Sequence, residues 1–413
     1  MINSYSWARR ARVVLAGLYL AHGPLSVARA EEGACGPDAC ASELVYFGTH
    51  TQNLPNATMQ EEATGHGIFA ARLDARTGHL TSLGPVAEVD RPTWIVADPT
   101  RPILYSVSEM GNDGRTEDSV FAFAVDPATG TLRPLSKTTS GGSGATHLAL
   151  DPASHTLFVA HFGSGQVSAL PILADGSLAA VASVRRDYGF GPNPRQKSPH
   201  AHAVAVDPSH HFVLVADLGA DRIFVYRFDA GTRQLSQADP AFVAVTRGAG
   251  PRHLVFHPNG RFLFLDTELS AQLLSFRWDA QQGRLHLLQT LSTMPPDYQG
   301  PKSAAEIRVS HDGRFVYVSN RGDDTIVGYS VNPRTGMLSE IQRIPSGGKT
   351  PWSFELDATG RWLLAANEAS STVTVLGIDP QTGKLSATSE TLPVPKPVSV
   401  TVLCARVDTC SRR

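Results

Sequence analysis

With 413 residues, a net charge of −2, and 42% hydrophobic against 18% charged side chains, the chain is too apolar to be disordered. It is also too long for one ordinary core, which leaves two domains or one repetitive architecture. No basic run is present to pair with nucleic acid or an anionic membrane surface.

Residues 1–30 read as a signal peptide. Arg9, Arg10 and Arg12 form a basic start, Val13 to Leu20 is a short apolar run, and Ala28-Arg29-Ala30 is a cleavage-type sequence. The run is too short to span a bilayer, and no later segment is long and apolar enough to do so. Cleavage removes four arginines and no acid, giving a mature net charge of −6. A periplasmic or secreted protein, monomeric and without a membrane span, is expected. Residues 31–43 carry Cys35 and Cys40, and the tail 404–413 carries Cys404 and Cys410. Export favours disulfides among these four, with three pairings open. Neither pair has a histidine at zinc-ligand spacing.

Residues 44–403 repeat at roughly fifty residues. One marker is an Asp or Asn followed by a Gly-x-Leu-type turn. It occurs seven times, ending at Leu80, Leu132, Leu178, Leu235, Leu285, Leu338 and Leu385. A second marker is an apolar strand, a turn and another apolar strand, as in LVFHPNGRFLFLDTE. Helical periodicity is absent from the mature chain. Seven units of four short strands predict an all-β, seven-bladed β-propeller with four-stranded antiparallel blades. Glu43 to Gly48 is expected to close the ring by pairing beside Val398 to Leu403.

Six hairpins align on the residue opening their turn: Asp98, Asp151, Asp207, His257, Ser310 and Asp357. Five residues before it stand Thr93, Thr146, His202, Arg252, Ala305 and Trp352. Four before stand Trp94, His147, Ala203, His253, Glu306 and Ser353, and eleven after stand Glu109, Phe162, Leu218, Glu268, Arg321 and Glu368. The start of one antiparallel strand and the end of the next share one end of the hairpin. All three sets therefore belong to one face of the disc. Mid-strand positions are almost wholly apolar, whereas this rim gathers His147, His202, Arg252, His253, Glu268, Glu306 and Arg321. Such charges converging on a channel mouth predict a binding site. Arg252 and Glu268, centred on their turn, should nearly face each other.

Five stretches are similar to the seven-bladed propeller lactonase family, which includes propeller-type 6-phosphogluconolactonases and carboxy-cis,cis-muconate cyclases. They are GFGPNPRQKSPHAHAVAVDP (189–208), DLGADRIFVYRFD (217–229), GPRHLVFHPNGRF (250–262), AAEIRVSHDGRFVYVSNRGDDTI (304–326) and ATGRWLLAANE (358–368). The resemblance runs from about Leu44 to Leu403. It implies catalytic roles for His202, Arg252, Glu268 and Arg321, all four already on the rim. The chain departs from the pattern at Trp352, where relatives often carry arginine, and at His50 in GTHT, where GTYT is common. The loss of a basic group weighs against a phosphorylated substrate.

Opening a lactone requires water, a base and donors for the developing oxyanion. His202 is the expected base, with Arg252 and Arg321 as oxyanion donors or carboxylate clamps and Glu268 orienting them. His147, Arg195, Gln196, His200, His253 and Glu306 are expected substrate contacts. No cofactor or metal is expected, although His200-x-His202 places two imidazoles on one strand face. No G-x-S-x-G elbow is present, and Gly348-Lys349-Thr350 lacks the earlier P-loop glycine. The expected function is an exported lactonase acting on a small sugar lactone or related cyclic ester. A non-catalytic ligand-binding propeller and a muconate-type cycloisomerase are the alternatives.

Overall fold

The computed structural model describes residues 41–51 and 66–404. Three of the four cysteines and the cleavage sequence lie outside these residues. Within them the chain forms 28 strands, numbered in chain order, in seven four-stranded antiparallel sheets arranged as the blades of a propeller. Blade 1 is ordered β28 (Pro397–Leu403), β1 (Ser42–Thr49), β2 (Ile68–Asp74), β3 (Leu80–Ala87). Its innermost strand thus comes from the far end of the chain, with Leu44 opposite Leu403 and Phe47 opposite Val400. This is the ring closure expected between Glu43–Gly48 and Val398–Leu403.

Blades 2 to 7 each use four consecutive strands. Their inner strands are β4 (Ile95–Ala97), β8 (Ala145–Asp151), β12 (Ala201–Val206), β16 (Pro251–Phe256), β20 (Ala304–Val309) and β24 (Pro351–Leu356). Each is followed by a fully or nearly fully buried second strand, such as β13 (Phe212–Asp217), β17 (Phe262–Thr267) or β21 (Phe315–Asn320). These second strands pack against a neighbouring blade on both faces. That explains their continuous apolar runs, where a half-exposed strand would alternate. The core lies between blades: Phe212 and Leu214 of blade 4 share one cluster with Leu263 and Leu265 of blade 5.

The repeated Gly-x-Leu turn is also a blade-to-blade clamp. Tyr46 donates its hydroxyl to Gly130 O of the next blade (3.0 Å), Tyr105 to Gly176 O (3.0 Å) and Tyr317 to Gly383 O (2.8 Å). Trp362 closes the ring in the same manner, donating Nε1–H to Ala75 O at 2.9 Å. These turn glycines adopt positive φ, for example +77° at Gly130, which a side chain disfavours. The hydrogen-bonded rim of the turns therefore fixes the angle between blades as well as the chain reversal.

Phe47, fully buried in the cluster between blades 7 and 1, tests this closure. Phe47→Ala is expected to cost about 3–5 kcal/mol in urea unfolding. Leu287→Ala, at a side chain 57% exposed, should stay within about 0.5 kcal/mol of wild type. Equal effects would contradict a core seated at the closure.

Candidate active site

The heads of the inner strands do not pair regularly. In β8 the register shifts between Ala145 and His147, in β12 between Ala201 and Ala203, and in β24 between Pro351 and Ser353. In β16 it shifts between Pro251 and Leu254, and in β20 between Ala304 and Ile307. Thr146, His202, Trp352, Arg252 with His253, and Ala305 with Glu306 therefore sit in β-bulges, which re-aim side chains at the expense of ladder bonds. The freed amides find other acceptors: His253 N–H donates to Asp266 Oδ1 (2.8 Å) and Glu306 N–H to Ser319 Oγ (3.0 Å). Gly250, just ahead of the β16 bulge, has φ +67°, and a Cβ there would stand 2.6 Å from Leu269 Cγ. Its carbonyl accepts Glu268 N–H at 2.7 Å, and its own N–H donates to Asp221 Oδ1 at 2.9 Å.

The bulges open onto a cavity of about 210 Å³. Its wall takes Thr93, Thr146, His202, Arg252 and Trp352 from the first aligned set. Trp94 and His253 come from the second set, and Glu109, Phe162, Glu268 and Arg321 from the third. His50, Arg91, Asn112 and Arg195 complete it. The cavity is below the usual range for drug-sized ligands, about 300–1,000 Å³, and suits a small molecule.

Glu268 is its electrostatic centre. Oε1 is 2.5 Å from Arg195 Nη1, and Oε2 is 3.2 Å from Arg252 Nε and 3.0 Å from Arg321 Nη2. His202 Nε2 stands 3.7 Å from the same Oε2. Burial alone would raise the Glu268 carboxyl; Arg321, Arg252, His202 and Arg195 outweigh it and hold it well below the usual carboxylate range. His202 behaves oppositely: burial, then Arg252 and His253, push its imidazole well below its ordinary value, so it is neutral at neutral pH. Its Nδ1 has no hydrogen-bond partner among the described residues, and neither do Nε and Nη2 of Arg321, whose contact with Glu268 is an ion pair only. Burial lowers Arg321 to about 10, still protonated at neutral pH. Trp352 walls these groups, with the Arg321 guanidinium 4.3 Å from its ring centre and the His50 ring edge-on at 4.7 Å.

A lactonase model, described as a seven-bladed β-propeller, matches residues 44–402. The chain belongs to this propeller lactonase family. The 6-phosphogluconolactonase of Bacillus subtilis is 31% identical over 314 residues, covering 76% of this chain and 85% of the relative. A periplasmic gluconolactonase of Pseudomonas aeruginosa superposes with a TM-score of 0.81 at 34% identity, covering 88% and 99% of the two chains. A putative 6-phosphogluconolactonase of Bacteroides fragilis gives a TM-score of 0.79 at 27% identity, covering 88% and 98%.

In this lactonase the four residues singled out for catalysis meet at one place. Arg252 and Glu268 do so through the β16 bulge rather than as a register pair. Arg195 and His253 also line the cavity, but the other expected substrate contacts stand behind its wall. The His147 ring lies tilted against Trp94, ring centres 4.2 Å apart. Gln196 is fully buried, donating to Leu218 O (2.7 Å) and Asp221 Oδ1 (2.6 Å). His200 stacks on Phe162 and its Nδ1 is 2.7 Å from Phe162 O. Glu306 is consumed by His253 Nδ1 (3.2 Å), Arg308 Nη1 (2.5 Å) and Ser353 Oγ (2.9 Å). Arg91 and Asn112 carried no repeat signal, because they lie in loops outside the aligned hairpins. Among the described residues, no group of three or more His, Cys, Asp or Glu side chains is placed to hold a metal ion.

The depressed Glu268 carboxyl makes a pH-dependent contribution to stability. It is fully present above the unfolded-state value, about 4.3 for a glutamate, and is lost as pH falls through the lower folded value. Urea unfolding of wild type and Glu268→Gln should therefore differ most near pH 7. The gap should close progressively in acid, and a gap independent of pH would contradict the assigned charge.

Proposed function

We propose that this protein is an exported lactonase that opens a sugar lactone, or a related cyclic ester, at the charged mouth of the propeller. The observation that carries this reading is the neutral His202 set beside Glu268 and its three guanidinium groups on the wall of a cavity for a small molecule. The relatives named for gluconolactone and 6-phosphogluconolactone hydrolysis support it, and the leader-like residues 1–30 support export.

Water adds to the ring carbonyl and the neutral His202 imidazole on the cavity wall accepts its proton. The carbonyl oxygen becomes an oxyanion facing Arg252 and Arg321, whose fixed charges favour it over the neutral ground state. Negative charge arriving beside the arginines offsets the field that lowers His202 and raises its basicity at the moment it is needed. The ring C–O bond then breaks, and the departing oxygen takes the proton back from His202. The product is an open hydroxy acid; its carboxyl group releases water's second proton to solvent and, as a carboxylate, faces the same guanidinium pair. Glu268 bonds no substrate atom in this scheme. It keeps Arg252 and Arg321 close together despite their mutual repulsion.

On a panel of lactones measured above their spontaneous hydrolysis, Arg252→Ala should lower kcat/KM by about 10²–10³, the effect of losing one oxyanion donor, and Glu268→Ala by a similar factor because it releases both guanidinium groups from their positions. Circular dichroism should report an intact β fold in both. Saturable ligand binding by wild type with no turnover of any lactone would instead support the ligand-binding alternative. Periplasmic extraction of cells expressing the full chain tests export, and protein confined to the cytoplasm would refute it.

A further inference from the structure

The mouth has a second polar cluster that the reaction scheme does not use. Arg91, Glu109 and Asn112 line the cavity from blade 2. On a seven-blade ring this is the side facing blades 5 and 6, which supply Arg252, Glu268 and Arg321. The cluster is built firmly. Asn112 Nδ2 donates to Glu109 Oε1 at 2.9 Å, and Arg91 Nε donates to the Glu109 main-chain carbonyl at 2.9 Å. The Arg91 amide is held in turn by Thr51 O at 2.7 Å. Asp118 pins the loop by accepting Met110 N–H (3.0 Å) and Ala145 N–H (2.6 Å), so Glu109 is presented from a fixed backbone. Glu109 is only 7% exposed, and the solvent it meets is that of the cavity.

This arrangement selects chemically. A carboxylate accepts hydrogen bonds and donates none, whereas the adjacent guanidinium only donates. A row of hydroxyl groups satisfies both, because each hydroxyl gives and takes. A phosphate ester at neutral pH only accepts and carries nearly two negative charges. Placed here it would offer the Glu109 carboxylate no donor beyond Asn112 and would set a like charge beside it, a combination that discriminates against a ligand.

We infer that Glu109, held by Asn112 and flanked by Arg91, is a specificity subsite that reads the hydroxyl-bearing tail of an unphosphorylated polyhydroxy lactone and rejects the terminally phosphorylated one. The inference rests on the hydrolytic reading above for the orientation of the substrate, with its carbonyl toward Arg252 and Arg321 and its tail across the mouth.

The test compares glucono-1,5-lactone with its 6-phosphate on wild type and Glu109→Gln, a change that removes the charge and keeps the shape. Wild type should favour the plain lactone by tenfold or more in kcat/KM. Glu109→Gln should narrow that ratio at least tenfold, through a rise on the phosphorylated substrate. A merely structural residue would lower both substrates together. That result, or a wild-type preference for the phosphate ester, overturns the inference while leaving the lactonase reading intact. Calorimetric binding of gluconate and 6-phosphogluconate to the same two proteins separates the two claims. If neither lactone is turned over but gluconate binds tenfold tighter and the variant erases the difference, the subsite stands and the hydrolytic reading falls. Equal affinities in wild type refute the subsite whatever the turnover.

Discussion

One buried carboxylate organises the mouth of this propeller. Three guanidinium groups crowd toward Glu268 from three different segments: the loop before β12, the bulge in β16 and the end of β21. Without an anion between them they would repel one another in a setting where water screens poorly. With it they form a positive arc, which adds to burial in keeping His202 uncharged. The acid–base character of the histidine thus depends on burial and on the same ion cluster that gives the arginines their anion affinity. Such a cluster contributes little net stability once desolvation is counted, but removing its centre leaves buried charges uncompensated.

The cluster depends on the ring. Every blade supplies at least one group to the cavity wall, from His50 in blade 1 to Trp352 in blade 7. Distances across the mouth are set by the angles between blades, and those angles are fixed by the buried second strands and the tyrosine-to-turn clamps. The pairing of β1 with β28 makes the arrangement closed rather than open-ended. A closed ring has no terminal blade lacking a neighbour, so all seven blades hold the polar site at its axis.

The architecture was legible in the sequence because a propeller repeats: seven marker turns and six superposable hairpins define blade number, closure and the face that carries the cavity. Counting from the turn also located most of the cavity wall, including positions such as Trp94, Thr146 and Phe162 that carry no charge. It did not separate the side chains that enter the cavity from those behind it. That choice is made by the bulges, which turn His202 and Arg252 into the mouth and leave Glu306 beneath it, bonded to His253. Regular alternation cannot foresee such a shift. Gln196 and His200 illustrate a different limit. Both stand in a polar loop beside catalytic candidates, yet their side chains are spent on Asp221 and Phe162, partners distant in sequence. Arg91 and Asn112 are the converse, loop residues with no periodic signal that the fold brings to the cavity.

A crystal structure with gluconate, the open product of the plain lactone, bears most directly on the role given to Glu268 and its arginines. The account predicts the ligand in the mouth, its carboxylate on Arg252 and Arg321, with Glu268 still engaged by its guanidinium partners. Gluconate bound elsewhere, or an empty mouth at saturating concentration, would contradict it.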